Sequence, residues 1–433
     1  MKIFLDSIGC RLNQSEIEKM ALQFRQAGHE LVENARLADL VVVNTCAVTS
    51  AASSDSRQHI RQAARLGKAK IIVTGCWATI DPQSALNLPL VIKVADNLHK
   101  KSLVNDILGI DERSPGNPML PRVALPGLHK RTRAFIKIQD GCDNRCTYCI
   151  TRIARGKSRS QSLEEILRDI QSAIEGGVKE IVLTGAQLGS WGKDFDPKMK
   201  LSDLINIIFI QTRIERLRLS SLEPWEIDDD LLAVFQNQRF CRHLHLPLQS
   251  GSRSVLNRMA RQITPENYRD IVLRIRKACP QIAITTDLIV GFPGETEIEF
   301  IDNVNFIQTI GYAGGHVFSF SARPQTSAAS LPDPVHPMVK KERSRLLRSI
   351  ISNSAKQFRQ EFIGRNLQVL WEKSEKIIQG QWRLEGLTDN YLRIFAFSDK
   401  DHWNEFSNVI LSGDEGKFIK GVITEDGGKA SFT

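Results

Sequence analysis

No stretch of this 433-residue chain approaches roughly 18 uninterrupted apolar residues, so no membrane-spanning helix is expected. There is no short-period repeat and no low-complexity tract. The opening Met1-Lys2-Ile3-Phe4-Leu5 starts like a secretory leader, but Asp6, Arg11 and Glu16 interrupt it before an apolar region forms. The chain is therefore expected in the cytoplasm, where thiols stay reduced. The excess of one sign of charge is also small. Lys+Arg 58 against Asp+Glu 49 leaves +9, a mild excess that fits a polyanionic partner without demanding one. Cysteine is scarce too, at eight residues. That excludes a disulfide-stapled miniprotein and favours metal ligands or buried thiols. What remains is ordinary globular material, 42% hydrophobic and 25% charged, which excludes wholesale disorder and collagen-like fibres. At about 150 residues per domain the length predicts about three domains.

Residues 2–9 read as a strand running into Cys10, and 15–27 as a helix with Ile17, Met20, Ala21 and Phe24 on one face. Residues 38–45 form a buried strand ending at Cys46. A helix follows over 50–66, and 70–75 is a strand ending at Cys76. This β-α-β-α-β order predicts parallel strands. Residues 113–130, rich in proline and glycine, read as a linker. Strands are expected at 134–139, 180–185, 216–221, 243–247, 283–290 and 314–320, with helices such as 162–176 and 265–278 between them. Repeated βα units predict a full or partial barrel over 131–335. A basic helical connector with Lys340, Lys341, Arg343, Arg345 and Arg348 is expected over 336–363. Short alternating segments at 367–371, 382–386 and 391–397 predict a small β-barrel over 364–433. The fold class is thus α/β, with an N-terminal parallel βαβ domain over 1–112, a central (β/α) barrel and a C-terminal β-barrel.

The most specific chemical signal is Gly141-Cys142-Asp143-Asn144-Arg145-Cys146-Thr147-Tyr148-Cys149. Three thiols at this spacing leave one position of a cubane iron–sulfur cluster open, whereas a closed structural site normally uses four ligands. The other reading is a three-cysteine zinc site completed by a distant histidine. The arrangement resembles the radical S-adenosylmethionine (radical-SAM) superfamily, in which the open iron holds that cofactor and the residue before the third cysteine is usually aromatic, as Tyr148 is. Cys10, Cys46 and Cys76 each end a strand of one parallel sheet, whose carboxyl edge would gather them. Their alternative is three unrelated buried cysteines. Cys241 and Cys279 have no such placement and read as structural.

With two three-cysteine sets and a terminal β-barrel, the whole chain resembles the radical-SAM methylthiotransferases. Residues 364–433 are similar to their RNA-binding TRAM barrel. Ala154-Arg155-Gly156-Lys157-Ser158-Arg159-Ser160 and the stretch from Leu183 to Gly192 resemble the branch acting on threonylcarbamoyl-adenosine in tRNA. Leu219–Pro224, His245–Ser252 and Thr286–Thr296 follow in family order. Three departures stand out: Thr151-Arg152 where a proline is usual, Arg253 where an acid is usual, and Gln325 where Arg-Pro-Gly-Thr has glycine.

The resemblance implies two [4Fe–4S] clusters and S-adenosylmethionine. Cys142, Cys146 and Cys149 would hold the radical-generating cluster, and Cys10, Cys46 and Cys76 an auxiliary one carrying the sulfur. Acid–base catalysis has little grip on an adenine C2–H, so a cofactor supplies the hard step. Gly185 and Gln187 are expected beside the methionyl group of S-adenosylmethionine, with Ser220 and Glu223 as ribose or amino contacts. Gly251 and Gly291 are expected to let the backbone approach the ligand. Arg152, Arg155, Lys157 and Arg159, with Lys130, Arg131 and Arg133, are candidates for tRNA phosphate contacts. The expected partners are a tRNA anticodon loop, an electron-donating reductase and a sulfur donor. The rival expectations are the sister enzymes for isopentenyl-adenosine or a ribosomal-protein aspartate, and a non-catalytic metal protein that binds RNA.

Overall fold

The computed structural model describes residues 1–110, 120–123, 125–126, 132–377 and 380–424. Most of the expected linker, with Lys130 and Arg131, lies outside the described residues.

The N-terminal sheet is parallel throughout. Its strand order is Glu30–Leu31, Lys2–Ser7, Leu40–Thr45, Lys70–Gly75, Val91–Ala95. Leu40–Thr45 is buried along its whole length, as a strand covered on both faces must be. Helix Arg11–Gln26 covers one face, with Ile17, Met20, Ala21 and Phe24 turned inward. Helix Ser50–Leu66 covers the other, starting where Thr49 accepts a hydrogen bond from the Ala52 amide. The two edge strands Glu30–Leu31 and Val91–Ala95 add to the three that the sequence pattern predicts.

The central domain is an open barrel of six parallel strands in two hydrogen-bonded halves. Arg133–Lys137, Glu180–Thr184 and Arg216–Leu219 make one half; His243–His245, Ala283–Val290 and Gly314–Ser319 make the other. The Leu217–Phe240 bridge joins them. Helices between strands start at recognisable caps: Ser162 for Leu163–Glu175, Thr264 with Pro265 for Pro265–Ala278, and a Thr296/Glu299 capping box for Glu297–Ile310. One apolar core runs between these helices and the strands.

Helix Pro337–Gln360 leads to a closed five-stranded barrel ordered Asn366–Lys376, Trp382–Thr388, Arg393–Ser398, Ile419–Thr424, Phe406–Asp414. Its own core centres on the buried Trp371, whose Nε1 donates to Ser407 Oγ at 3.0 Å.

The small barrel docks on the amino-terminal ends of the central strands. Arg216 donates to the Leu387 and Gln368 carbonyls, and Arg218 to those of Thr388 and Asp389. Arg242 grips Asp389 with both ends of its fork, at 2.5 and 3.0 Å. Tyr391 takes a left-handed φ of 67°, stacks on His243 at 4.2 Å, and accepts a hydrogen bond from Arg11 of the N-terminal domain. Arg133 is ion-paired with Glu372 here, so its expected place on an RNA track is corrected to a domain contact. Arg343 of the connector is likewise buried against Glu295 and Glu297.

Candidate functional site

The cysteine loop leaves the central barrel directly after Gln139–Asp140. Gly141 turns it at φ 72°, and a Cβ there would lie 1.9 Å from the Lys157 carbonyl oxygen, so only glycine fits. Backbone bonds pin the loop on two sides. Cys142 N–H donates to Gly156, Thr147 N–H donates to Met259, and Ala328 N–H donates to the Thr147 carbonyl. Donors reach the sulfurs as well. Cys149 Sγ accepts from the Thr151 amide at 3.4 Å, and Cys146 Sγ from Arg261 at 3.8 Å. Gln187 Oε1 lies 3.4 Å from Cys142 Sγ, while Gln187 Nε2 donates to Glu226. Burial pushes the Cys142 thiol up to about 12, reinforced by Cys149 and Cys146, and raises Cys149 in the same way. Neutral thiols so placed release protons when they bind metal.

The loop forms one wall of a cavity of ≈ 250 Å³. The opposite wall comes from the carboxyl ends of successive strands: Ala186, Glu223, Pro247, Gln249 and Asp287. Catalytic groups gather at this end of βα barrels. Glu223 is ion-paired with Arg261 at 2.7 Å, and Arg261 also donates to the Pro247 carbonyl. Gln249 adopts φ 76°, an uncommon conformation for a side-chain-bearing residue, at the cavity wall.

Tyr148 and Glu223 line the cavity, Gln187 touches the first cysteine, and Ser220 is buried at a strand end. Gly185 packs on Gln139, whose amide oxygen would sit 2.9 Å from an added Cβ. Two glycines are corrected. A Cβ on Gly251 would meet Phe306 at 2.8 Å, and one on Gly291 would meet Lys340 at 2.4 Å. Neither lines the cavity: Gly251 packs on Phe306, and Gly291 holds φ 69°, a left-handed conformation that favours glycine by itself. Arg261, Gln249, Asp287 and Asn144 line the cavity without having been singled out. Gln249 and Asp287 stand inside motif stretches, which was the available signal; Arg261 had none.

Cys10, Cys46 and Cys76 follow three neighbouring parallel strands and sense one another's charge. Gly9 and Gly75 precede two of them, each at φ 99°. A Cβ on Gly9 would lie 2.5 Å from Cys46 Sγ, and one on Gly75 2.3 Å from the Thr45 carbonyl. Asn97 Nδ2 donates to Cys76 Sγ at 3.6 Å, and Ser56 Oγ accepts from the Cys46 amide. Cys46 and Cys76 are buried and Cys10 is exposed; burial lifts the Cys46 thiol to about 11.

Between the two cysteine sets lies a buried ion network. Arg155 bonds Glu16 at 2.8 Å, Asp140 at 2.9 Å and Asn13 at 2.7 Å; Lys100 and Lys137 also reach Glu16. Burial opposes ionisation of Glu16, yet Arg155, Lys100 and Lys137 together hold its carboxyl well below the usual range. Arg155 is only 2% exposed, so its expected phosphate contact is corrected to a tie between domains. Lys157 and Arg159 are exposed; Arg152 is half-buried on the cavity wall.

Among the described residues no three His, Cys, Asp or Glu side chains close on a single metal position. Polar atoms do await a ligand at the cavity: Asn144 Nδ2 and Asp287 Oδ1 on its wall are buried and unpartnered, as is Ser220 Oγ at a nearby strand end. Three loop thiols, sulfur-directed N–H donors and unpaired polar groups fit an open cluster with a polar cofactor beside it.

The fold and this loop define a radical-SAM protein. The Radical SAM superfamily model matches residues 136–307, and the model described as Uncharacterized protein family UPF0004 matches 2–95. A solved radical S-adenosylmethionine methyltransferase from Kitasatospora setae, TsrM, shares the fold at TM-score 0.58 and 14% identity, over 76% of this chain and 77% of that one. The threonylcarbamoyladenosine tRNA methylthiotransferase MtaB of Bacillus subtilis is 36% identical over 97% of this chain and 96% of its own length. Its Thermotoga maritima namesake is 36% identical over 87% and 88%, and the tRNA-2-methylthio-N(6)-dimethylallyladenosine synthase of Acetivibrio thermocellus is 32% identical over 88% and 83%. The chain belongs to the radical-SAM methylthiotransferase family, whose chemistry uses a [4Fe–4S] cluster and S-adenosylmethionine. No helix among the described residues is long and apolar enough to cross a membrane.

Proposed function

We propose that this chain inserts a methylthio group at C2 of N6-threonylcarbamoyl-adenosine in the anticodon loop of tRNA. The observation that carries this reading is the near full-length similarity to relatives named for that substrate, combined with two separate three-cysteine sites. Cys142, Cys146 and Cys149 hold the radical-generating cluster, and Cys10, Cys46 and Cys76 hold a second one. When bound, these clusters and S-adenosylmethionine supply the one-electron and sulfur-transfer chemistry that acid and base side chains lack.

The protein's own groups bind and orient. Gln187, Arg261 and the Thr151 amide set the charge around the loop sulfurs. Glu223, Ser220 and Asp287 offer acceptors to the amino and hydroxyl groups of the cofactor. Asn97 orients Cys76, and Gly9 lets the chain pass against Cys46. Exposed Lys157 and Arg159 pair with RNA phosphates, and the C-terminal barrel extends that grip. The target base leaves its stack to reach the cavity, at low cost in a splayed loop. An electron-donating reductase and a sulfur donor complete the cycle.

Nucleoside mass spectrometry of tRNA from cells lacking this chain tests the reading. The methylthio form of threonylcarbamoyl-adenosine should disappear. Loss of the methylthio group from isopentenyl-adenosine instead would transfer the chain to the sister branch.

A further inference from the structure

The cavity that faces the cysteine loop contains an asymmetry of charge. Its two cations differ in their engagement. Both terminal nitrogens of Arg261 are engaged, with Glu223 at 2.7 Å, the Pro247 carbonyl at 2.6 Å and the Cys146 sulfur at 3.8 Å, over the Trp225 ring, and only its Nε lacks a partner. Arg152 lines the same cavity, half-buried, with no carboxylate, carbonyl or sulfur partner among the described residues. The carboxylates there, Glu223 and Asp287, face Arg261 and His245 respectively. Helix Thr151–Arg155 fixes the base of the Arg152 side chain three residues past Cys149, and the Asn97–Ala154 bond at 2.8 Å secures that helix to the N-terminal domain.

A guanidinium held at a cavity wall without a counter-ion is a ready carboxylate receptor, because its planar fork matches two oxygens at once. The threonylcarbamoyl substituent is attached through the threonine nitrogen and therefore ends in a free carboxylate. An isopentenyl substituent has no charged group. We propose that Arg152 pairs with the carboxylate of the threonylcarbamoyl group and is the residue by which this cavity selects the charged adenosine over its apolar counterpart. This rests on the proposed function above and deepens it by giving the substituent a specific receptor. It also separates Arg152 from the exposed Lys157 and Arg159, which serve the RNA backbone.

The cofactor S-adenosylmethionine also carries a carboxylate, so the test distinguishes the two sources. Binding to the cluster-loaded full chain is measured by fluorescence anisotropy with three anticodon stem-loops, in the presence of S-adenosylmethionine. One carries threonylcarbamoyl-adenosine, the second its methyl ester, and the third isopentenyl-adenosine. The unaltered protein should bind the acid about 10- to 100-fold more tightly than the ester, the factor a charge-assisted pair contributes. This arm needs no mutant and so does not depend on a variant folding. Arg152→Gln should erase the preference while leaving ester binding unchanged, and Arg152→Lys should retain part of it. Equal binding of acid and ester by the unaltered protein overturns the proposal. So does an equal loss for all three RNAs in Arg152→Gln, which would assign the residue to phosphate. Weaker S-adenosylmethionine binding with the RNA preference intact would assign it to the cofactor and overturn the proposal too. Turnover of the acid stem-loop by the unaltered protein is read in parallel. No turnover of it would sink the proposed function itself, whereas turnover without an acid–ester difference sinks only the role of Arg152.

Discussion

Cys142, Cys146 and Cys149 sit on one short loop, whereas Cys10, Cys46 and Cys76 meet only because three strands pair in parallel. The loop set is held by local backbone bonds and by a glycine that nothing else could replace. The scattered set is held by an entire sheet, two glycines at φ 99°, and side chains borrowed from elsewhere, including Asn97. A local site needs its loop to be correct; an assembled site needs a domain to be correct. The assembled site should therefore be the more fragile of the two, and it should be lost first when the packing between domains is damaged.

The sharpest way to break this comparison is to remove one ligand from each set. Cys146→Ala should abolish both S-adenosylmethionine cleavage and product formation. Cys46→Ala should abolish the methylthio product while cleavage of S-adenosylmethionine persists. Iron should fall by about four per chain in each variant. Chromatographic detection of 5′-deoxyadenosine and modified nucleoside reads both outcomes, and equal loss of cleavage in the two variants would merge the sites into one function.

The next largest effect concerns the network between the sites. Arg155→Met removes the more buried of the two cations that bridge Glu16 and Asp140, Lys137 being the other, which should cost about 3 kcal/mol. Urea unfolding measures it. Iron at Cys10, Cys46 and Cys76 should be lost before iron at the loop; simultaneous loss would remove the distinction drawn above.

A third test uses a buried pair remote from both sites. Burial works against the Glu180 carboxylate, but Arg218 and Arg133 bring it from 4.5 down to about 2. Its folded value is depressed, so its contribution is complete above about pH 4.5 and is lost as the pH falls towards 2. Glu180→Gln should flatten that part of the acid-unfolding profile. An unchanged profile would place the acid sensitivity nearer the cysteine sites, at Glu16 or Asp140.

The smallest effect is at Gln325, which holds φ 65° where the family pattern has glycine. Arg323, two residues before it, donates to Ser50 and Ser53 of the N-terminal domain. Gln325→Gly should raise stability by roughly 0.5–1 kcal/mol, because glycine adopts this conformation without strain. Thermal unfolding checks the sign; a lower midpoint would mean that the side chain contributes a contact worth more than the strain.

Much of this architecture was legible in the residues. Helix Ser50–Leu66 and strand Ala283–Val290 fall on their expected limits, because apolar periodicity and capping residues agree there. Both cysteine sets were legible for different reasons, one by spacing and one by strand ends. Arg155 was misread because a basic run does not reveal which member turns inward. Gly251 and Gly291 were misread because a glycine close to a ligand and a glycine close to Phe306 or Lys340 have the same sequence. Arg261 was missed because its partners Glu223, Pro247 and Cys146 come from three other segments, and only the closed barrel brings them together.

The bonds from Arg216, Arg218 and Arg242 to the terminal barrel, with Tyr391 wedged among His243, Arg218 and Arg11, leave that barrel no swing of its own. It works as the fixed jaw of a caliper rather than as a weight on a tether. Whatever that jaw touches stands at a set distance from the cysteine loop, because the ties at Arg216, Arg218 and Arg242 fix the separation of the two.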